Sequence, residues 1–277
     1  MAKISLEQFI KAVEDIPPLP LTVTKALQVI DNPNSGPRDL ANIIGSDQAM
    51  TVTLLKYANS AFYGLSRRVS TINEAIVIMG FAAIRSLLMS FALSKTLNRE
   101  IKGYAMPQGE IWKHALYCGN ISRHIAKKIK YPQPEEAFVA GLIHDIGKVV
   151  LNEFIFEDYQ QVLQKVETEQ KPFVEVEKEI LGYSHAEAGA LLGEKWKLPQ
   201  NIVETIAYHH QPKDHTNKLV HIVHLADALC LMLGIGLGID GLYYSINETS
   251  LQLLNLKSEQ VELLIAEIDG NAEIPLP

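Results

Sequence analysis

Gly141-Leu142-Ile143-His144-Asp145-Ile146-Gly147-Lys148 sets a histidine and an aspartate side by side in an otherwise apolar run. A run of this kind folds into an interior, and an interior penalises polar groups that nothing satisfies. Imidazole nitrogen and carboxylate oxygen are natural metal ligands, so a bound ion would satisfy both. The fold must then bring further ligands to this point. The chain supplies candidates on both sides: Glu110 and His114 upstream, and His185, His209, His210 and Asp227 downstream.

Spacing tells how these could converge. Glu110 and His114 are four apart and share one face of a helix. His144 and Asp145 are adjacent, so both reach one site only where a helix ends or bends. Lys148 lies one turn beyond His144, where it could neutralise an anionic substrate or pair with Asp145. His209 and His210 close a helical pattern ahead of a polar loop, where both rings can turn inward. Asp227 falls on an apolar helix, where a carboxylate needs a cation or donors. Each residue alone has an ordinary structural explanation; together they exceed structural need and predict a metal centre. Nitrogen and oxygen ligands without a thiolate suit iron, manganese, nickel or zinc. Cys118, one turn beyond His114, reads as a buried inert thiol. His124, His215, His221 and His224 read as surface or packing residues.

The remaining bounds are broad. The chain has 277 residues, 47% hydrophobic and 21% charged, which is ordinary for a globular protein. A net charge of −7 argues against non-specific nucleic-acid binding. Two cysteines with no CxxC suggest no disulfide framework, and a reducing, cytoplasmic setting is the expectation. Met1–Ile16 lacks the apolar core of a signal peptide, and no window is read as reaching the length of a transmembrane helix.

Along the chain the pattern is helical throughout. Ile16–Pro20 is an extended, proline-set entry, and Leu21–Ile30 follows at helical spacing. Pro37 suits the first turn of a helix carrying Leu40, Ile43 and Ile44. Ser46 or Asp47 could cap Met50–Ala58. Thr71-Ile72-Asn73-Glu74 is a capping box ahead of Ala75–Met79, Gly80 breaks that helix, and Ala82–Leu97 resumes. Asn98–Gln108 is polar and contains glycine and proline, which predicts a division near residue 105: a helical lobe over 1–105 and a second, ligand-bearing lobe over 106–277. In that lobe helices are predicted over Gly109–Lys128, Glu135–Leu142, Glu157–Glu169, Glu175–Leu181, Asn201–His209 and Leu219–Leu233. Ser184-His185-Ala186-Glu187 is a second capping box, with His185 in the first turn. No segment shows sustained period-2 alternation, so the fold class is all-α. Gly236-Leu237-Gly238-Ile239-Asp240-Gly241 matches GxGxxG, but a helical pattern precedes it and Tyr243-Tyr244-Ser245 follows, so it reads as a loop rather than a dinucleotide site.

The ligand set resembles the HD superfamily of metal-dependent phosphohydrolases, named for a pair such as His144-Asp145. The whole chain resembles the HDOD proteins, a bacterial signalling group related to HD domains. The resemblance is carried by IPPLP at 16–20, LLKYANSAFYGLSRRVSTINEAIVIMG at 54–80, GLIHDIGK at 141–148, SHAEAGALL at 184–192 and the tryptophan-leucine-proline pattern at 196–199. Many HDOD proteins have lost metal ligands and act as signalling outputs or interaction modules. Here the ligand pattern is similar to the HD-GYP branch, which hydrolyses cyclic di-GMP. That likeness implies that Asp145 bridges two metal ions, that His114, His144 and Asp227 hold one, and that His185, His209 and His210 hold the other. It implies a third ion at Glu110 and a phosphate contact for Lys148, with Asp145 and Lys148 as the catalytic pair; iron or manganese is the favoured metal. HD-GYP enzymes follow their paired histidines with a long acidic, glycine-rich signature ending in GYP, whereas His210 is followed here by Gln211-Pro212-Lys213-Asp214-His215.

The expected function is therefore a signal-transduction protein working mainly through a protein partner, with an HD-type metal site. The alternative is a metal-dependent phosphohydrolase acting on a nucleotide or cyclic dinucleotide, in which the ions lower the pKa of the attacking water. Neither a membrane nor direct nucleic-acid binding is expected. Phe62, Tyr63, Arg67 and Arg68 have the composition of a binding surface, and packing of Phe62 and Tyr63 between the lobes is the equal alternative.

Overall fold

The computed structural model describes residues 3–60, 67–236, 238, 241 and 244–270. Among them the protein is all-α, and its one β-bridge is an isolated pairing of Ile101 with Met106. The chain forms two compact units. One is Pro18–Lys95; the other joins the residues before Pro18 to those from Thr96 onward.

The Pro18–Lys95 unit follows its sequence signals closely. Helices α2 (Leu21–Asp31), α3 (Pro37–Gly45) and α4 (Gln48–Ala58) precede the long α5 (Ile72–Leu97), whose last turn leaves the unit. Pro37 opens α3, and Asp39 accepts the Gly36 backbone N–H at 2.8 Å. Asp47 caps α4 by accepting the Met50 N–H at 3.0 Å, and Thr71 accepts that of Glu74 at 3.2 Å. Leu40, Ile44, Leu54, Ile76, Ile84 and Leu88 fill the core between these helices. Gly80, at φ 78°, divides α5 into two helical pieces.

Ile72–Leu97 departs from one expectation. By length and composition it is able to cross a membrane, at a mean hydropathy of 2.1, and it is the only described helix that can. Its apolar character has another use here, because 56% of that window is buried inside the protein. The expected binding surface at Phe62 and Tyr63 lies outside the described residues; Arg67 pairs with Glu74 at 2.5 Å.

The larger unit begins with a helix that the sequence reading did not anticipate. Helix α1 (Leu6–Asp15) has its own capping box, Ser5 with Gln8. It belongs with the later part of the chain: Ile4 N–H donates to Leu181 O at 2.9 Å, and Phe9 stacks on Tyr183 at 3.9 Å. Lys195 Nζ donates to the carbonyls of Val13, Glu14 and Ile16 at 2.8–3.1 Å, completing the C-terminal end of α1. The expected division near residue 105 therefore differs from the observed one in two ways: the first residues join the larger unit, and that unit resumes at Thr96.

Nine further helices complete it: α6 (Glu110–Lys128), α7 (Pro134–Ile143), α8 (Gly147–Glu169), α9 (Phe173–Leu181), α10 (His185–Lys195), α11 (Gln200–Tyr208), α12 (Lys218–Met232), α13 (Glu248–Leu254) and α14 (Ser258–Gly270). Helix α8 starts ten residues before its predicted beginning. Its first turns, Gly147–Leu151, are buried on all sides, so they carry no amphipathic period to read. Helices α13 and α14 were likewise not anticipated, although Asn247 caps α13 by accepting the Thr249 N–H at 2.9 Å.

One glycine sets how closely the site helices approach. A Cβ on Gly147 would stand 1.8 Å from His185 O and 2.6 Å from Gly189 N, so the start of α8 lies directly against the first turn of α10. Both neighbours are backbone atoms in helices and neither can yield alone. Gly147→Ala is expected to cost about 3 kcal/mol or more, the upper end of overpacking effects, as read by urea unfolding; a loss below about 0.5 kcal/mol would show that α8 and α10 can separate freely.

Candidate metal centre

Six helix ends and faces converge on Asp145. His114 lies in the middle of α6, and Asp227 on the neighbouring α12. His144 is the residue that ends α7, and Asp145 follows it in the short turn before α8, which is the helix end that the adjacent pair required. His185 is the first residue of α10, where Ser184 and Glu187 close the expected capping box. His209 ends α11 and His210 follows it. All but His210 are buried to within 3% exposure, and His210 is half-buried.

The ligand atoms fall into two groups that meet at the two oxygens of one carboxylate. Asp145 Oδ2 faces His114 Nε2 at 3.5 Å and His144 Nε2 at 3.3 Å. Asp227 Oδ1 closes this group, 3.1 Å from His114 Nε2 and 3.6 Å from His144 Nε2. Asp145 Oδ1 faces His185 Nε2 at 3.5 Å and His209 Nε2 at 3.7 Å, and His210 Nε2 lies 2.8 Å from His185 Nε2. His114, His144 and Asp227 could hold one metal ion, and Asp145, His185, His209 and His210 another.

Surrounding groups aim the rings. His114 Nδ1 meets Ile235 O at 3.1 Å, His144 Nδ1 meets Gly141 O at 2.8 Å, and His209 Nδ1 meets Ile206 O at 2.8 Å. Each carbonyl takes the Nδ1 proton and makes Nε2 the nitrogen that faces inward, the usual outer support of a metal-binding histidine. Gly236 permits the approach of the Ile235 carbonyl: it sits at φ 63°, and a Cβ there would lie 2.4 Å from that of His114. The first glycine of the GxGxxG match thus packs behind a histidine; Leu237, Ile239 and Asp240 lie outside the described residues.

Polar atoms are left over, and they test whether an ion fits. Asp145 Oδ1, His209 Nε2 and His210 Nδ1 are buried with no hydrogen-bond partner. Buried polar atoms are rarely left so. A carboxylate oxygen and imidazole nitrogens left without partners are of the donor types that suit a divalent transition ion.

Electrostatics divides the five rings. Burial raises the pKa of a carboxyl, but His144 and Lys148 hold Asp145 well below the carboxylate range, and His114 and His144 do the same for Asp227. Burial depresses a histidine, yet Asp227 raises His114, Asp145 raises His144 strongly and Glu177 raises His185. Burial wins at His209, which is lowered to about 4, and at His210, which His209 and His185 lower further.

Two predicted site residues are placed differently from their expected roles. Glu110 stands at the first turn of α6 with its side chain 36% exposed, paired with Lys113 at 3.7 Å, and it joins neither ligand group. It shares the face of His114 but lies a full turn nearer the solvent end of the helix. Lys148 is buried and ion-paired with Asp145, the second of its two expected uses. Among the other histidines, His124 pairs at the surface with Glu267 and His215 stacks on Tyr208. His221 and His224 are buried: His221 bridges Ser250 and His215 O, and His224 Nδ1 donates to His209 O at 2.8 Å.

Glu177 and Tyr104 went unnoticed in the sequence. Glu177, fully buried on α9, accepts from the His185 backbone N–H at 2.7 Å and from His185 Nδ1 at 2.8 Å, and Tyr104 O–H donates to it. The signal existed: Glu177 shares the apolar face of Phe173, Val176 and Leu181, where an acidic residue has no business without a partner.

An all-helical unit with a histidine-aspartate pair at a helix break and ligands gathered from four other helices has the build of the HD class. The sequence profile of the HDOD domain matches residues 16–212, and the chain belongs to that family. The chain is 28% identical over 200 residues to an uncharacterized protein of Treponema pallidum (strain Nichols), which covers 72% of this chain but only 38% of that one. It therefore spans well under half the length of the curated relatives it matches. A crystal structure of an HDOD domain protein with unknown function from Geobacter sulfurreducens is similar at a TM-score of 0.77 and 25% identity, over 96% of this chain and 92% of that one. A candidate signal transduction protein of Marinobacter aquaeolei VT8 gives 0.74 at 22%, over 96% and 62%. A candidate metal-dependent phosphohydrolase of Shewanella amazonensis SB2B gives 0.60 at 19%, over 97% and 98%. These last two establish the shared fold.

The raised histidines fix the sign of a pH dependence. A ring that holds a proton has no lone pair for an ion, so loading must displace protons from His114, His144 and His185. Metal uptake is expected to release protons and to weaken as pH falls through the range of these histidines, which lies above the ordinary value near 6.5. Calorimetric titrations with zinc in buffers of differing ionisation heat measure this; uptake with no proton release would contradict it.

Proposed function

We propose that this chain is a bacterial signal-transduction protein that acts mainly through protein interaction and carries a divalent metal centre of HD type. The observation that carries the metal centre is Asp145, whose two oxygens each face a separate set of buried histidines. In this reading Asp145 bridges two ions, His114, His144 and Asp227 complete one site, and His185, His209 and His210 complete the other, with iron or manganese favoured and zinc or nickel also suited to the donors. A cytoplasmic setting goes with it, in keeping with two free, buried cysteines.

Three features support interaction over turnover. The Pro18–Lys95 unit supplies none of the clustered ligands, yet it exposes Leu21, Val52 and Val77. Lys148, the candidate phosphate contact, is engaged with Asp145. After His210 the chain turns at once into a short 3₁₀ segment, Pro212–Asp214, in place of an acidic, glycine-rich signature.

The second reading, a phosphohydrolase acting on a nucleotide or cyclic dinucleotide, is favoured by the completeness of the ligand set. Divalent ions supply the Lewis acidity for attack of water on phosphorus. In that case Asp145 would be a ligand of the metal centre, and Lys148 would steady its carboxylate.

Two measurements test these readings. Wild-type protein reconstituted with iron, manganese or zinc is expected to hold about two ions per chain, and Asp145→Ala to lose most of them, by elemental analysis; a metal-free wild type would sink the metal centre. Metal-loaded protein is expected to show weak or no turnover of cyclic di-GMP. Turnover on the order of 1 per second or faster, abolished in Asp145→Ala, makes the enzyme reading the correct one.

A further inference from the structure

Glu177 is the one buried charge near the centre that neither reading uses. It is fully buried, and every contact it makes is one in which it accepts: the His185 backbone N–H at 2.7 Å, His185 Nδ1 at 2.8 Å and the Tyr104 hydroxyl. The other supported histidines lean on neutral backbone carbonyls, those of Ile235, Gly141 and Ile206. His185 alone among them leans on a carboxylate. We propose that Glu177, held in place by Tyr104, is a positioning residue that fixes His185 as an Nε2 ligand and adds negative charge to a metal site whose own carboxylate, Asp145, is shared. The proposal rests on the metal-centre reading above.

Charge gives the reason. The group around His114 and His144 has a carboxylate of its own, Asp227. The group of His185, His209 and His210 consists of rings plus one oxygen of the shared Asp145, and the charge of Asp145 is already partly taken up by Lys148. A divalent ion bound there would be held by neutral nitrogens and a fraction of one charge. Glu177 behind His185 corrects that imbalance, because a carboxylate accepting the Nδ1 proton makes Nε2 a more basic donor than a carbonyl does. It also removes any choice of tautomer: Nδ1 keeps its proton, and Nε2 faces Asp145 Oδ1 at 3.5 Å.

Tyr104 locks this arrangement from outside. It sits at the end of the 3₁₀ turn Lys102–Tyr104, which is tied to α8 by Gly103 N–H donating to Asn152 Oδ1 at 3.0 Å. Its ring stands edge-on to His185 at 6.1 Å, and Lys148 Nζ lies 5.8 Å from the ring centre on its face. Contacts therefore run in a closed circuit from Asp145 through Lys148, Tyr104, Glu177 and His185 back to Asp145. No member can shift without disturbing the ligand geometry.

The test is equilibrium metal binding by chelator competition, with zinc and manganese as probes, on wild type, Glu177→Gln and Tyr104→Phe. Glu177→Gln is expected to weaken one ion about 10- to 100-fold and leave the other unchanged. Tyr104→Phe, which keeps the ring and its packing, is expected to weaken the same ion by a smaller factor, and it carries the test should Glu177→Gln fail to fold. A merely structural role would weaken both ions alike or neither, and either result overturns the proposal. Wild type that binds no ion overturns the metal-centre reading and this proposal with it. Wild type that binds ions with affinities unchanged in both variants overturns this proposal alone.

Discussion

Asp145 is a carboxylate closed off from water at a break between two helices, and the larger unit is arranged to make that tolerable. Removing an ion from water costs several kcal/mol even after relaxation. Lys148, one turn on, repays part of it from the same stretch of chain. The rest comes from His114, His144, His185 and His209, brought from four different helices to within 3.7 Å. Those helices must approach closely, which is why α8 meets α10 at a residue without a side chain. The Asp145 carboxylate, the packing at Gly147 and the outer carbonyls are parts of one constraint: a charge placed where only a dense set of partners can stabilise it.

The candidate ligand set is legible because it is chemically conspicuous. Histidines and aspartates in apolar segments stand out in any sequence, and seven of the eight proposed metal ligands do gather at one point. Glu110 did not, because a four-residue spacing fixes a shared face but not how near the helix end lies to solvent. Glu177 was missed for the opposite reason. It lies in Glu175-Val176-Glu177-Lys178-Glu179, where its neighbours are ordinary solvated charges, and only its register on α9 sets it apart.

The helices divide along similar lines. Those with a cap and an amphipathic stripe, such as α3, α4 and α10, lie where capping boxes and proline placed them. The start of α8 was invisible because burial on every side erases periodicity. The membership of α1 could not be seen at all, since nothing local in Leu6–Asp15 names its partner. That partner is Lys195, whose ammonium group is unremarkable among 25 Lys and Arg residues until the fold is known.

The clasp of Lys195 on α1 orders events in time. Val13 and Lys195 are 182 residues apart, so α1 must wait for α10 to be made. Pro18–Lys95 is a compact unit with its own core and is free to close early. Helix α1, with Phe9 and Val13 uncovered, has no such local option. Nascent chains of this protein therefore carry α1 with its apolar face exposed until α9 and α10 emerge. That interval is when chaperones would meet it and when aggregation would compete with folding.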